Sequence, residues 1–553
     1  MAVERRTRIE VVLALALIVA LAAALRLYYL DQAPPGLNQD EGANAWNAWC
    51  LLKTGKDQDA VRWPFFCTRA FGEYRSTLYM YALLPFQAAG GMNVITTRLP
   101  AAVGGVLTVL LTYYVGARLF GRGTGMIAAL LLAIAPWHIQ QSRWGHEATL
   151  TPLLIILPVA ALLWSNLPLV DGEQRGPRPL IAGLAGALAG ICCYGYPAVR
   201  VFLPLFLMAA VMVTIRAWYR LIRTRRGALA VVLLAVSWGA TFGPLAWKHL
   251  TDARIGKRGA MTRVWNPADP LVLKLGKCLQ RYPGHFESDF LFVNGDPEEM
   301  QHPPYGGEFP YFMLPLLLIG LAVVARTFER SRAARVLTVW LLLYPVSDCI
   351  STAAGMHALR SLPGVCALVL LAALGAARAG SWLWQRRRIA TGLAAVLAAG
   401  VGGIWTVQFA RVYFEDYPRR DEVYAQFQTA LVEACQWLSP HANEADAIFC
   451  TTSGFNIPYV TTLVALNYDP RDWFSQPRKM TRHNEWEAYW RCGKLYFMYG
   501  DVYKPSLRAL QRNRRDDHVY FIIRPGEIDA GPPLYEVHGP DGQPCLWICE
   551  RTE

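Results

Sequence analysis

The chain has 553 residues, of which 54% are hydrophobic and 17% charged, with a formal net charge of +13 and a mean hydropathy of +0.22. Soluble domains carry about 25% charged residues, so the composition excludes an ordinary soluble protein, and many apolar runs approach the roughly 20 residues that cross a bilayer. The positive charge does not point to nucleic acid: arginines cluster in short links between apolar runs, as topology signals do, and no recognition motif accompanies them.

In chain order, Arg5, Arg6 and Arg8 precede the first apolar run, Ile9–Leu30, and predict a cytoplasmic N-terminus. No convincing small-residue cleavage site precedes Gln32-Ala33-Pro34-Pro35, so this run reads as a signal anchor rather than a cleaved signal peptide. Residues 31–97 form a long outward loop with aromatic, amphipathic pieces, Glu41–Leu52 and Ser76–Ala88, that suit helices lying in the interface plane. Further apolar runs are Leu99–Leu119, Gly123–Trp137, Thr149–Leu167, Leu180–Cys193 and Val199–Ile215. Then come Ala228–Trp247, Phe309–Ala325, Val336–Ala353, Arg360–Ala377 and Ile389–Phe409. Residues 248–308 make a second long outward loop. Arginines at 118, 122, 175, 178, 216, 220, 223, 225, 226, 326, 330, 332, 335 and 386–388 all fall on the turns this scheme makes cytoplasmic. The expectation is about eleven transmembrane helices over residues 1–410, N-terminus inside and C-terminal region outside. No internal repeat is evident.

From about Arg411 charges and aromatics rise and no run is long enough to span. Arg420–Leu438 reads as a helix, and Ala447–Thr452, Lys494–Tyr499 and His518–Arg524 read as strands. Leu534–His538 and Pro544–Glu550 read as a hairpin about Gly539-Pro540-Asp541-Gly542. Residues 411–553 are therefore expected to form an extracytoplasmic α/β domain. The 12 cysteines show no zinc spacing. Either they are reduced and buried, or those in outward regions form disulfides, with Cys50–Cys67 the first pair to test.

Ionisable residues at the membrane edge are functional candidates, because charge there is costly. Those on the outward face are Asp40, Glu41, Arg75, Arg143, His146, Glu147, Arg200, His357 and Arg360. Both signs on one face suggest an acid/base group beside an anion clamp. Structural alternatives stand beside each. Asp40 suits a helix N-terminus, and Glu41 is the more structural member of the pair. Arg143 and Glu147 have the spacing of a local helical ion pair. His146 suits an interfacial histidine, and Arg200 suits a snorkelling cation. The aromatics suit an interfacial belt, with Trp46, Trp49 and Tyr79 as candidates for a sugar pocket. No spacing demands a metal, although His146 and Glu147 leave a divalent ion open.

Five stretches in order carry a resemblance: NQDEG, EYRSTLYMYALLPFQAAGG, TRLPAAVGGVLTVLLTYYVGARLFG, APWHIQQSRWGHEATLTP and CYGYPAVRVFLP. From about Ile9 to Pro204 the chain resembles the membrane glycosyltransferases of GT-C fold related to protein O-mannosyltransferases and lipid A aminoarabinose transferases. HALRSLPG matches in style only, and the C-terminal domain is not matched. The resemblance implies transfer of a sugar from a polyprenyl-phosphate carrier to an acceptor hydroxyl of a protein, lipid or polysaccharide. It implies an extracytoplasmic site on a bacterial-type inner membrane, and inversion at the anomeric carbon. By position Asp40, with Glu41 beside it, looks like the general base. Arg75 stands where relatives often carry a phosphate-binding lysine, with Arg200 and Arg360 as further phosphate ligands. Arg143, His146, Glu147 and His357 are left to orient acceptor or site. A multi-pass transporter or flippase is the alternative, but transporters usually show repeats and midplane charges.

Overall fold

Each of the eleven apolar runs contains a helix in a computed structural model, which describes residues 2–172, 176–255, 259, 262–352, 355–483, 486–500 and 518–550, with backbone only before Ile9; Val336–Ala353 is helical only within Arg332–Leu343 and Val346–Cys349. Arg175 and Ala353, named above, lie outside the described residues, and so do the side chains of Arg5, Arg6 and Arg8. Six helices are long and apolar enough to cross a membrane, and the pair Pro197–Val213 and Ile215–Ile222, bent by 79°, makes a seventh if it is one span. The remaining runs form shorter helices: Arg122–Ile134, Pro179–Cys192, Met313–Thr327 and Arg332–Leu343. The protein is a polytopic helical membrane protein with a C-terminal sheet.

The chain divides into two compact units. The first holds the residues up to Tyr28, Ala101–Arg143 and Glu147–Val412. Its helices pack closely through small residues, as in membranes where no hydrophobic drive separates helix from lipid. Pro179–Cys192 lies along Arg225–Thr251, and a Cβ on Gly186 or Gly190 would collide with Leu234, Ser237 or Thr241 of that helix. Gly320 and Gly375 do the same where Met313–Thr327 meets Val365–Arg386. By contrast, Arg388–Arg411 leaves Ile389, Leu393, Val396, Leu397, Ile404 and Val407 exposed, as suits a helix long and apolar enough to cross a membrane.

The second unit holds Tyr29–Pro100, Trp144–His146 and Tyr413 to the C-terminus. A small hairpin joins β1 (Thr68–Ala70) to β2 (Glu73–Arg75). Seven further strands are β3 (Ala447–Thr451), β4 (Arg478–His483), β5 (Trp486–Cys492), β6 (Leu495–Met498), β7 (Val519–Ile523), β8 (Pro533–His538) and β9 (Pro544–Glu550). They form one mixed sheet in the order β4-β5-β6-β3-β7-β9-β8. The parallel centre, β6-β3-β7, is made of continuous apolar runs buried on both faces, as parallel strands require. The expected strands of this region are present, and the β4–β5 hairpin is added to them.

Three expectations change. Arg420–Leu438 is broken into Asp421–Gln426 and Thr429–Leu438 at Gln428, which has a left-handed φ of 48°. The helix Gln39–Thr54 is not an interfacial surface helix. Every residue from Glu41 to Leu51 is buried, and it packs with Pro458–Ala465 and the sheet residues in a single hydrophobic core. All 12 cysteines are free thiols, Cys50 buried and Cys67 half-buried, so the Cys50–Cys67 pair is not made.

Candidate functional site

The acidic pair begins the Gln39–Thr54 helix. Asn38 is the N-cap: its side chain accepts from the Asp40 N–H at 2.9 Å, and the Glu41 carboxylate accepts from the Asn38 N–H at 3.1 Å. This is a capping box. Successive helical residues point about 100° apart, so the two carboxylates part company at once.

Glu41 points inward and is fully buried. Arg98 clamps it with Nε to Oε1 at 2.8 Å and Nη2 to Oε2 at 2.9 Å. The Gly145 N–H donates to Oε1 at 2.7 Å. Arg98 spends its other hydrogens on the carbonyls of Leu30, Pro34 and Gly36 at 3.0, 2.6 and 2.9 Å. A buried ion pair satisfied in this way is a structural tie whose breakage is costly. It holds the Tyr29–Gly36 entry, the Gln39 helix and the Trp144–His146 segment together.

Asp40 points the other way, and its side chain stays 24% exposed. Arg75 Nη1 donates to its Oδ1 at 2.7 Å. His146 Nε2 stands 3.7 Å from its Oδ2. Both partners are 2% exposed. Arg75 ends β2, whose two-residue turn, Phe71-Gly72, has φ of 59° and 84°; positive φ at both positions matches the right-handed twist of a tight hairpin. His146 is placed by Gly145, where a Cβ would stand 2.9 Å from the Thr97 carbonyl and 3.2 Å from Glu41 Oε1. The Trp144 ring lies 5.0 Å from the imidazole. The site is thus one reachable carboxylate backed by a buried guanidinium and a buried imidazole.

The other candidates fall elsewhere. Trp46 is not a pocket wall: it is fully buried, with Trp473 at 5.4 Å and Tyr468 at 6.2 Å, edge to face. Tyr79 is buried and donates to the Thr97 carbonyl at 2.8 Å. Trp49 is buried in the same core, under Lys53 at 4.4 Å.

Five candidates belong to the first unit. Arg143 donates to the carbonyls of Leu25 and Tyr28 at 3.0 and 2.7 Å, satisfying the end of the Ala2–Leu27 helix. Glu147 starts a 3₁₀ turn, while Arg143 lies in the turn after Pro136–Gln141, so the two do not share a helix. Arg200 donates to the Cys193 carbonyl at 3.0 Å. Arg360 donates to Ser351 Oγ at 2.9 Å and the Thr352 carbonyl at 2.8 Å. His357 Nδ1 stands 3.5 Å from Asp296 Oδ2.

That last contact belongs to a second polar cluster. Asp296 accepts from the Ala358 N–H at 2.7 Å and the Glu298 N–H at 2.9 Å. Glu308 Oε1 accepts from the Asp296 N–H at 3.2 Å and lies 3.5 Å from His302 Nδ1. Burial pushes the Asp296 carboxyl up to about 7, against the two N–H donors that favour its charge, and Glu308 adds to the rise. Among the described residues no group of three or more His, Cys, Asp or Glu side chains is arranged to hold a metal.

Sequence reading passed over Arg98, Asp296 and Glu308. Arg98 sits in the quoted TRLP stretch, but a lone arginine at a helix start reads as a topology signal.

No family model matches the chain, and no curated protein matches its sequence. Among solved structures, ArnT from Cupriavidus metallidurans in the apo state is similar at a TM-score of 0.54 and 13% identity, covering 97% of each chain. The same protein bound to undecaprenyl phosphate is similar at 0.51 and 14%, covering 97% of this chain and 98% of that one. The Archaeoglobus fulgidus oligosaccharyltransferase, in its complex with zinc and sulfate, reaches 0.49 at 11%, covering 82% of this chain and 61% of its own. The ArnT likeness runs the length of both chains, and the fold it shows is GT-C: a polytopic helical membrane module with a C-terminal sheet.

Proposed function

We propose that the protein is a glycosyltransferase that uses a polyprenyl-phosphate sugar on the extracytoplasmic face of the membrane. The observation that carries the proposal is the Asp40–Arg75 pair, a part-exposed carboxylate 2.7 Å from a buried guanidinium. The GT-C fold shared with a structure that holds undecaprenyl phosphate supports the choice of donor.

In this reading the acceptor hydroxyl oxygen attacks the anomeric carbon as the bond from that carbon to the phosphate oxygen breaks. The configuration inverts. Asp40 takes the hydroxyl proton, a task worth about 10²–10⁴-fold in rate. The bond electrons leave on the polyprenyl phosphate, whose growing charge Arg75 meets. Arginine suits that task, since it keeps its charge and binds phosphate oxygens in pairs. Arg75 is shared between carboxylate and phosphate, so donor binding loosens its hold on Asp40 at the moment a base is needed. Glu41 takes no proton in this scheme; it holds Gly145, and through it His146, against Asp40. Arg200 and Arg360 are further candidate phosphate ligands, and His357, Arg143 and Glu147 candidate orienting groups.

Purified protein given a polyprenyl-phosphate sugar and an extract of acceptors should release polyprenyl phosphate. Arg75→Ala should raise the KM for the donor more than that for the acceptor. Equal losses for both would reduce Arg75 to a structural role.

A further inference from the structure

The helix that carries Asp40 is gripped at its start by residues from far down the chain. The point of contact is the break between Asp421–Gln426 and Thr429–Leu438. The Phe427 carbonyl accepts from the Leu37 N–H at 2.6 Å, and the Gln426 carbonyl accepts from Asn38 Nδ2 at 3.0 Å. Asn38 is the N-cap whose side-chain oxygen holds the Asp40 N–H. The two backbones come so close that only glycine fits between them. A Cβ on Gly36, whose φ is 55°, would stand 2.3 Å from the Phe427 oxygen. The Phe427 ring is fully buried. It lies 5.7 Å from the Arg98 guanidinium and 6.2 Å from the Trp144 ring, edge to face. One residue thus touches the cap of the Asp40 helix, the arginine that holds Glu41 and the tryptophan beside His146.

That bend is in turn tied to the C-terminal sheet, and the tie is strained. Gln428 Nε2 donates at 2.6 Å to the carbonyl of Asn456, in the loop that leaves β3. Gln428 is buried at a φ of 48°, and Ile457, next to Asn456, is buried at 56°. Left-handed backbone costs about 1–3 kcal/mol at a residue with a side chain, and a β-branched residue there is a clear outlier. Gln428 Oε1 is buried with no hydrogen-bond partner among the described residues, a further cost of about 1–3 kcal/mol. Ile457 is the N-cap of Pro458–Ala465, and this helix packs on the Asp40 helix from the sheet side. A Cβ on Gly42 would meet Val460 Cγ2 at 3.3 Å and the Thr461 nitrogen at 3.5 Å. A join selected for stability alone would shed both costs at 428 with a glycine. Strain kept at a fixed place beside a reachable carboxylate points to function.

We propose that Phe427 and Gln428 are positioning residues, through which the C-terminal sheet sets where the Asp40 carboxylate and the His146 imidazole stand. All of these residues belong to one compact unit. The proposal rests on the reading of Asp40 as the base. Phe427 and Gln428 touch no substrate in this scheme; they act through Asn38, Arg98 and Trp144. The sheet, which carries no catalytic residue of its own in the proposed reaction, thereby gains a task in it.

The test follows single-turnover release of polyprenyl phosphate by the full chain in detergent. Phe427→Leu removes the ring contacts and keeps the carbonyl. Gln428→Gly keeps the left-handed bend without strain and removes the bond to Asn456. Each should slow release about 10-fold or more, since a misplacement of about 1 Å costs up to about 10²-fold. The donor KM should stay unchanged, as it does when only a transition-state interaction is lost, and the melting temperature should not fall. Added to Asp40→Asn, neither should slow release further, because residues that act through one group are not additive. His146 gives a readout free of turnover. Its rate of carbethoxylation by diethyl pyrocarbonate, read by peptide mass spectrometry, should rise in both variants, while that of the equally buried His138 holds. Release that holds in either variant overturns the proposal, as does release that falls only with the melting temperature, or a full further loss in the Asp40→Asn background. If Asp40→Asn itself releases carrier at full rate, the base assignment fails. The His146 rates then still decide the positioning: unchanged rates overturn it, and raised rates uphold it.

Discussion

Two polar clusters, one in each unit, use nearly the same residue types and differ in what is left exposed. Around Asp40 the carboxylate keeps 24% of its surface while its arginine and histidine keep 2% each. Around Asp296 everything is shut in: Asp296 keeps 3% and Glu308 none, with His357 at 13% and His302 at 2%. Asp296 spends its oxygens on backbone N–H groups of Ala358 and Glu298, tying a loop to a helix start. Asp40 faces two cationic or ionisable side chains, Arg75 at Oδ1 and His146 at Oδ2, and keeps 24% of its side chain exposed. The comparison teaches that residue type alone does not mark chemistry: a part-exposed acid beside a buried cation is within reach of a substrate, and a sealed acid is not. The same contrast separates the adjacent carboxylates Asp40 and Glu41.

The largest expected effect breaks the contrast at Asp40. Asp40→Asn keeps an acceptor oxygen for Arg75 and should lower turnover by about 10²–10⁴-fold while the protein still elutes and melts as a folded species. Next comes Arg98→Ala, which strands the buried Glu41. It should cost about 3–5 kcal/mol of stability, read as a fall in melting temperature in detergent, so that activity is lost only through folding.

A pH titration sharpens the other side. The Asp296 carboxyl sits at about 7 when folded against an ordinary 3.8. Between those values the folded state holds a proton that the unfolded state has lost, so stability from this group is full below about pH 4 and falls as pH rises to about 7. The integrated loss is up to about 4 kcal/mol, and Asp296→Asn should flatten that part of the melting-temperature profile. The smallest effect is at Gly145. Gly145→Ala forces the Thr97 carbonyl and Glu41 apart and should cost about 1–3 kcal/mol, with the pH profile of turnover shifting because His146 moves relative to Asp40.

Much of this architecture was legible in the residues. Apolar runs bounded by arginines mark the helices, because length and charge bias are physical requirements of a bilayer. The runs Ala447–Thr451 and Val519–Ile523 mark central strands, because both their faces are buried. The β4–β5 hairpin was hidden: β4 is a basic, part-exposed edge strand with a bulge between Lys479 and Met480, and nothing in its composition separates it from a loop. The Gln39–Thr54 helix reads as interfacial in the sequence because its tryptophans suit a belt equally well. What buries them is the core around Tyr468 and Trp473, over four hundred positions away. Asp40 was visible as an acidic residue after a span. Its separation from Glu41 was only half visible, since the partner that claims Glu41 is an arginine 57 positions on.

The measurement closest to the central claim is a single-turnover assay of polyprenyl-phosphate release, run in parallel on Asp40→Asn and on the unsubstituted protein with the same acceptor. The account expects release to collapse in Asp40→Asn while an unchanged melting temperature shows the fold intact. Undiminished release in a folded Asp40→Asn protein would contradict it and remove Asp40 as the base.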